Sequence, residues 1–132
     1  GNSKPSGFEK ILCAVKVDSH TPKILAHAVS LAVAFEAKLE VVYTAEEETL
    51  PPSCPGVSDE LRARCTMEES VMRGDRAENI VNKARENEVD LIVMGAKRKT
   101  RGWGELFSTT TERVMRGLGT SLLVIPKLEN GE

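Results

Sequence analysis

The chain has 132 residues, of which 40% are hydrophobic and 29% are charged, and its formal net charge is −2. This length and composition are typical of a single globular domain that is large enough to bury a core. The small net charge gives no reason to expect nucleic-acid binding, and no apolar run reaches the roughly 20 residues of a membrane-spanning helix. Three cysteines without the spacing of a zinc site or of a disulfide framework favour a reducing, cytoplasmic setting.

We expect one domain over residues 8–127, with an amino-terminal tail (1–7) and a carboxyl-terminal tail (128–132) outside it. The first three residues, Gly-Asn-Ser, resemble a cloning remnant, which leaves open that the domain belongs to a longer protein. Short apolar runs predict five strands, at residues 10–17, 38–44, 70–73, 90–94 and 121–125.

Helical patterns lie between most of these runs. The first helix is expected to be capped by Ser19 or Thr21, with Pro22 in its first turn and a single apolar face formed by Ile24, Leu25, Ala28, Leu31, Ala32 and Phe35. A short helix is predicted within residues 58–65. Asp75 and Glu78 have the spacing of a capping box, and the helix after them has an apolar face formed by Ala77, Ile80, Val81 and Ala84.

The last helix is expected to be capped by Thr109 and to end at Gly117 and Gly119. Strands that alternate with helices over short connections predict a parallel α/β fold. The fourth strand is apolar at successive positions, as expected where helices cover both faces of the sheet. The sequence therefore predicts a five-stranded parallel sheet with helices on both faces.

The segment at residues 95–111, GAKRKTRGWGELFSTTT, directly follows the fourth predicted strand. Ligands of open parallel sheets bind at the carboxyl ends of strands, near the point where the strand order reverses, and free N–H groups at a helix start favour an anion. Threonine hydroxyls and basic side chains add further phosphate ligands. The segment therefore predicts a nucleotide or phosphate site, although a solvated loop with a simple helix cap remains an alternative.

The chain resembles a universal stress protein domain over nearly all of residues 8–127. The resemblance rests on ILCAV, SLAVAFEAKLEVVY, RGDRAENIVNKA, DLIVMGAK, TTTERVM and SLLVIP in this order. It implies the Rossmann-like fold that these proteins share with adenine nucleotide alpha hydrolases, ATP or AMP as ligands in many members, and homodimers that pair through the last strand. The interface residues implied here are Leu122, Leu123, Val124 and Ile125.

The resemblance also implies where this chain departs from nucleotide-binding members. Their glycine pattern aligns Gly95 with the first glycine, but it places Arg98 and Ser108 at the second and third, with Thr109 as the hydroxyl residue. A side chain at such positions hinders close approach of the backbone to phosphates. An aspartate that relatives often carry after the first strand is replaced by Lys16, with Asp18 two residues later. The candidate nucleotide-binding residues are Lys16, Asp18, Thr44, Gly95, Lys97, Arg98, Ser108, Thr109, Thr110 and Thr111.

No nucleophile–base pair, paired carboxylates or metal-ligand cluster is recognisable, so we expect neither an enzyme nor a metal site. Trp103 is a candidate contact for a partner, and Cys54 with Cys65 leaves a disulfide or redox sensing open. Two hypotheses follow. The first is a stress-response regulatory domain that acts through dimerisation and protein contacts, alone or within a transporter or kinase, with nucleotide binding weak, altered or absent. The second is a sensor of ATP or AMP that uses the loop at residues 95–111.

Overall fold

The computed structural model describes residues 8–16, 20–44, 59–97, 113–114, 116–117 and 119–127, and for residues 61–62, 96–97 and 126–127 it describes the backbone alone. The strands are β1 (Lys10–Lys16), β2 (Lys38–Thr44), β3 (Met67–Met72), β4 (Leu91–Lys97) and β5 (Ser121–Lys127). The helices are α1 (Thr21–Phe35), α2 (Asp59–Arg62) and α3 (Arg76–Glu86). Residues 113–114 and 116–117 are also helical and are called α4.

The five strands form one parallel sheet in the order β3-β2-β1-β4-β5. The chain thus builds outward from β1 to β3 and then crosses back to place β4 on the other side of β1. The point at which the strand order reverses lies between β1 and β4, and β3 and β5 are the two edges. The predicted five-stranded parallel sheet is confirmed.

Alternate residues of the central strands point to opposite faces, and each face is covered by helix. On one face, Ile11, Cys13 and Val15 belong to the same buried cluster as the apolar side of α1. On the other face, Leu12 and Ala14 are clustered with buried residues of α3 and with Val114 of α4. Both faces of the sheet are buried at its central strands, which explains why β1 and β4 are continuous apolar runs in the sequence.

The start of α1 differs from the prediction. The residue before the helix is His20, which makes no side-chain cap hydrogen bond, while Pro22 lies in the first turn as expected. Thr21 is fully buried, and its hydroxyl donates to the Lys16 carbonyl oxygen at 2.9 Å. The predicted cap at Thr21 is wrong because its hydroxyl is used to hold the end of β1, and Ser19 lies outside the described residues.

The start of α3 agrees with the prediction. Asp75 lies directly before the helix, and its Oδ1 accepts a hydrogen bond from the Glu78 backbone N–H at 2.9 Å. Ala77, Ile80 and Ala84 are buried, and Val81 packs against the same cluster. The apolar face of this helix is the one predicted.

Several element boundaries differ because pairing with a distant strand decides them. β3 begins at Met67, three residues earlier than predicted, where Met67 pairs with Leu39. β4 continues past Met94 to Lys97, and β5 continues to Lys127, because these two strands pair with each other to their ends. Among the helices, α2 is only one turn long. Gly117 and Gly119 were predicted to end α4; Gly117 is still helical, whereas Gly119 is not.

Candidate functional site

The strand order reverses between β1 and β4, and we call the carboxyl edge of the sheet at this point the crevice. The pairing of β1 with β4 stops at Ala14 and Met94. Beyond this point β1 pairs with β2 as far as Lys16, while β4 pairs with β5 as far as Lys97. The two halves of the sheet therefore separate at the position where open parallel sheets bind their ligands.

One wall of this crevice is the end of β1 and its neighbour β2. Lys16 is exposed and is the register partner of the half-buried Thr44. The Thr44 hydroxyl donates to the Val15 carbonyl oxygen at 3.4 Å, and the Thr21 hydroxyl donates to the Lys16 carbonyl oxygen. Two threonine hydroxyls thus hold the backbone of the strand end, and the lysine side chain there reaches solvent.

The other wall is the end of β4. Gly95 is buried, pairs with Ile125 of β5, and lies two residues before the end of the strand. The sequence placed Gly95 at a strand end followed by a loop, whereas Gly95 is an extended strand residue in the structure. Because it carries no side chain, β4 contributes only backbone at this position. Lys97 is the last residue of β4.

The other six predicted site residues lie outside the described part of the chain. These are Asp18, Arg98, Ser108, Thr109, Thr110 and Thr111. Of the ten candidates, Lys16, Thr44, Gly95 and Lys97 are therefore the ones whose places in the fold are known. All four lie in the last three residues of their strands, at the same edge of the sheet.

A charged side-chain pair connects α3 with α4 near this edge. Arg113 donates from Nη1 to Asp75 Oδ2 at 3.0 Å, while the other carboxylate oxygen of Asp75 caps α3. The Glu78 backbone N–H is the main cause of a lowered pKa of Asp75, and Arg113 lowers it further. At the opposite end of these helices, Arg85 Nη2 donates to the Gly117 carbonyl oxygen at 2.6 Å. The two helices are therefore joined at both ends.

A groove of about 590 Å³ lies at the opposite, amino edge of the sheet, away from the crevice. Charged residues of both signs line it, including Glu36, Lys38 and Arg64, together with Cys65. Burial raises the pKa of the Cys65 thiol, which disfavours its thiolate form. Cys54 lies outside the described residues. Within the described ranges, no three His, Cys, Asp or Glu side chains form a group that could hold a metal ion.

The predicted interface residues lie on β5, which is an edge strand of the sheet. Leu122 and Val124 are half-buried and Ile125 is buried. Leu123 is 37% exposed, and among the described residues it is the one large hydrophobic side chain that is exposed. None of the described helices is long and apolar enough to cross a membrane.

The family model that describes the universal stress protein family matches residues 7–126 of the chain. The chain belongs to the universal stress protein family. The match covers β1 to β4 completely and β5 except for its last residue, Lys127. Comparison with curated protein sequences returns no significant match.

Solved structures of universal stress proteins have the same fold. The universal stress protein UspA from Lactobacillus plantarum is 20% identical with a TM-score of 0.67, over 91% of this chain and 99% of that one. A universal stress protein in complex with cAMP is 22% identical with a TM-score of 0.69, over 93% and 100%. The universal stress protein from Archaeoglobus fulgidus in complex with dAMP is 19% identical with a TM-score of 0.61, over 89% and 97%. At these identities the likeness establishes the fold alone.

Sequence reasoning missed some residues that shape this edge. The hydrogen bonds of Thr21 and Arg113 were not predicted, because each joins residues that only the folded chain brings together. Lys127 was left outside the last predicted strand because the apolar run at residues 121–125 is followed by Pro126. The sequence holds no local signal for Lys127, because its extended backbone depends on pairing with Lys97 of β4.

Proposed function

We propose that the chain is a regulatory domain of the stress response that acts through homodimerisation along β5 and through protein contacts. In this proposal its recognition of adenine nucleotides is weak, altered or absent. The proposal includes no catalytic step. The observation that carries it is the difference between the two edges of the sheet.

The β3 edge carries charge of the kind that discourages pairing with another chain. Glu68 and Glu69 are both exposed, and Glu68 lies 3.6 Å from the Lys38 ammonium. Charged side chains on an edge strand are a common protection against edge-to-edge association. We therefore do not assign the interface to β3.

The β5 edge lacks that protection over Ser121–Ile125, and residue types that protect an edge, Pro126 and Lys127, follow only at its end. The stretch Ser121–Ile125 has no charged residue, and its exposed side chains are Ser121 and Leu123. An unprotected apolar edge favours pairing with an identical strand, because pairing satisfies its free backbone groups and covers Leu123. The resemblance to family members that dimerise through their last strand supports the same assignment.

The ligand part of the proposal rests on the crevice. Lysine has only hydrogen-bond donors, so Lys16 at the end of β1 cannot accept a hydrogen bond from a ribose hydroxyl or an amino group. An aspartate at this position could accept such a hydrogen bond through its carboxylate oxygens. This substitution supports weakened or altered nucleoside recognition in this chain.

Sedimentation of the purified domain tests the dimer. We expect a dimer at tens of micromolar, the range in which weak homodimers form. We expect Leu123→Lys to be monomeric, because it places a charge in the middle of the interface, whereas Ala34→Lys on the exposed side of α1 keeps the dimer. A wild-type monomer at these concentrations, or a Leu123→Lys dimer of unchanged affinity, would contradict the proposal.

The second candidate function is an ATP or AMP sensor that uses the segment at residues 95–111, which begins within β4. Two observations favour it: the crevice between β1 and β4, and the universal stress proteins of the same fold that are in complex with cAMP and with dAMP. Calorimetric titration of nucleotide-stripped domain with ATP and AMP separates the two. Micromolar binding that Gly95→Asp and Thr109→Ala abolish supports the sensor, whereas no heat and no co-purified nucleotide support the first function.

A further inference from the structure

The groove at the amino edge of the sheet has a partly apolar lining. It lies between the carboxyl end of α1 and the residues that lead from α2 into β3. Ala32, Val33 and Ala37 line it and are buried or half-buried, and we call these three residues the floor of the groove. Its volume of about 590 Å³ lies in the range of known ligand sites, and it is open to solvent. The groove is therefore large enough to hold a long side chain together with the backbone that carries it.

The basic side chains that line the groove already have acidic partners. Lys38 Nζ lies 3.6 Å from a Glu68 oxygen, and Arg64 Nη2 lies 3.5 Å from a Glu60 oxygen. Each cation is thus matched by a carboxylate of the same protein. The positive charge of the groove is therefore offset before any ligand arrives.

Two acidic side chains that line the groove have no such partner. Glu9 and Glu36 are exposed, and neither forms an ion pair with a cation of the described residues. Glu36 directly follows α1, where the carbonyl end of the helix carries a partial negative charge of its own. The last turn of α1 contains no basic residue that would offset this charge. This end of the groove is therefore negative.

We propose that the groove binds a basic segment of a partner protein through a lysine or arginine side chain. The methylene stem of such a side chain packs along apolar surface while its charged head stays at a polar rim. The floor of the groove therefore takes the stem, and Glu9 with Glu36 takes the head. The inference rests on the protein contacts of the proposed function and names the chemistry of the partner.

The groove stays accessible in a dimer that pairs through β5. Its lining residues lie just before β1 and at the starts of β2 and β3, and β4 separates β5 from β1. Dimerisation and partner binding therefore use different parts of the sheet. Each dimer presents two grooves, so a partner with two basic segments gains affinity by engaging both.

Titration of the full chain with a labelled basic peptide tests the proposal. The probe is a six-residue peptide of alternating lysine and alanine, blocked at both ends, and its counterpart has glutamate in place of lysine. Fluorescence anisotropy measures binding at about 50 mM salt, and amide NMR signals locate it. We expect the lysine peptide to bind more weakly at about 500 mM salt, because exposed charges are screened. We expect the shifts to be largest at Ala32, Val33, Glu36 and Cys65, and the glutamate peptide to cause none.

Charge variants test the two acidic residues. Glu36→Gln and Glu9→Gln should each weaken binding of the lysine peptide about two- to fivefold, as when one exposed ion pair is lost. Glu36→Lys should weaken it about tenfold or more, because attraction becomes repulsion. Glu88→Gln is the matched control, with no expected change. Glu88 is also an exposed acid with a left-handed backbone (φ 55°), and it does not line the groove.

The inference is overturned if the lysine peptide does not bind at about 1 mM, or if the glutamate peptide binds as tightly. It is also overturned if Glu36→Gln and Glu9→Gln bind the peptide as well as Glu88→Gln does, in samples that thermal melts show to be folded. Spermidine carries the same positive charge as the peptide without a peptide backbone, so equal affinity for spermidine would replace the partner segment by a free organic cation. Sedimentation of the same samples reports the dimer separately. Lost peptide binding with an intact dimer counts against the groove alone, and a monomer that binds the peptide counts against the dimer alone.

Discussion

Replacing Asp90 with alanine should loosen the amino end of the sheet, because this side chain joins two neighbouring strands. A single oxygen, Oδ2, accepts hydrogen bonds from the backbone N–H groups of Glu9 and Lys10, each at 2.9 Å. The Asp90 N–H in turn donates to the Lys10 carbonyl oxygen at 2.9 Å. The side chain thus fixes the start of β1 against the residue before β4.

The loss is worth about 1–2 kcal/mol. Hydrogen bonds to a charged group contribute about 1.5–3 kcal/mol when buried, and we take about 0.5–1 kcal/mol for each of these two because the groups are exposed and water replaces the partner. For a domain of this length, 1 kcal/mol corresponds to about 4 °C in Tm, so the expected fall is about 4–8 °C.

Urea and thermal unfolding at one fixed protein concentration measure the change, since dimerisation would otherwise shift the midpoint. Asp90→Asn keeps an oxygen that can accept both bonds and should lose less than Asp90→Ala. Glu88→Gln, a neutralised acid two residues away, is the control, with an expected change within about 0.5 kcal/mol. If Asp90→Ala were as stable as the control, the side chain would not join the two strands and the reasoning would be refuted.

Three further predictions concern the helices. The pKa of Asp75 is lowered in the folded protein, so this carboxylate stabilises the fold at pH values above its ordinary pKa of about 4 and loses that effect as the pH falls through its pKa in the folded state. The difference in urea midpoint between wild type and Asp75→Ala should therefore be present at pH 7 and shrink below about pH 4. Glu36 has a left-handed backbone (φ 53°) after α1, so Glu36→Gly should raise the free energy of unfolding by about 0.5–1 kcal/mol, and Ala34→Gly within the helix should lower it. A Cβ at Gly117 would lie 3.1 Å from Val81 Cγ2, so Gly117→Ala should be tolerated better by about 0.5–1 kcal/mol in a Val81→Ala background, as a double-mutant cycle would show.

The buried elements of the fold could be predicted from local sequence patterns, but the ends of its strands could not. Residues 11–15 form an uninterrupted apolar run, and the spacing of apolar residues in α1 and α3 marks their buried sides, so these elements are recognisable within a short window. The end of β4 is not recognisable in this way, because the sequence of Gly95 and the residues after it resembles a loop. They are extended because they pair with β5, which lies about 30 residues later in the sequence. The start of β3 was missed for the same reason, since Glu68 and Glu69 face solvent at a sheet edge.

The place of the candidate site could be predicted better than its hydrogen bonds. The rule for parallel sheets put Gly95 at the carboxyl edge, and the family resemblance put Lys16 at the end of the first strand. Both lie at that edge, as does the candidate residue Thr44. The sequence pattern did not predict that the Thr21 hydroxyl would bond to the end of β1 in place of capping α1. A buried threonine satisfies its hydroxyl with whichever carbonyl oxygen the fold brings near, and that depends on the packing of α1 against the sheet.

Amide hydrogen exchange of the whole domain at two concentrations, 2 and 200 μM, is the most direct test of the central claim, which is pairing along β5. In a parallel sheet, alternate amides of an edge strand point away from the neighbouring strand and exchange freely unless another strand covers them. We predict that the outward amides of Ser121–Ile125 exchange more slowly at 200 μM than at 2 μM, while those of β3 do not change. Equal exchange of the β5 amides at both concentrations, in a sample that sedimentation shows to be monomeric throughout, would contradict the account.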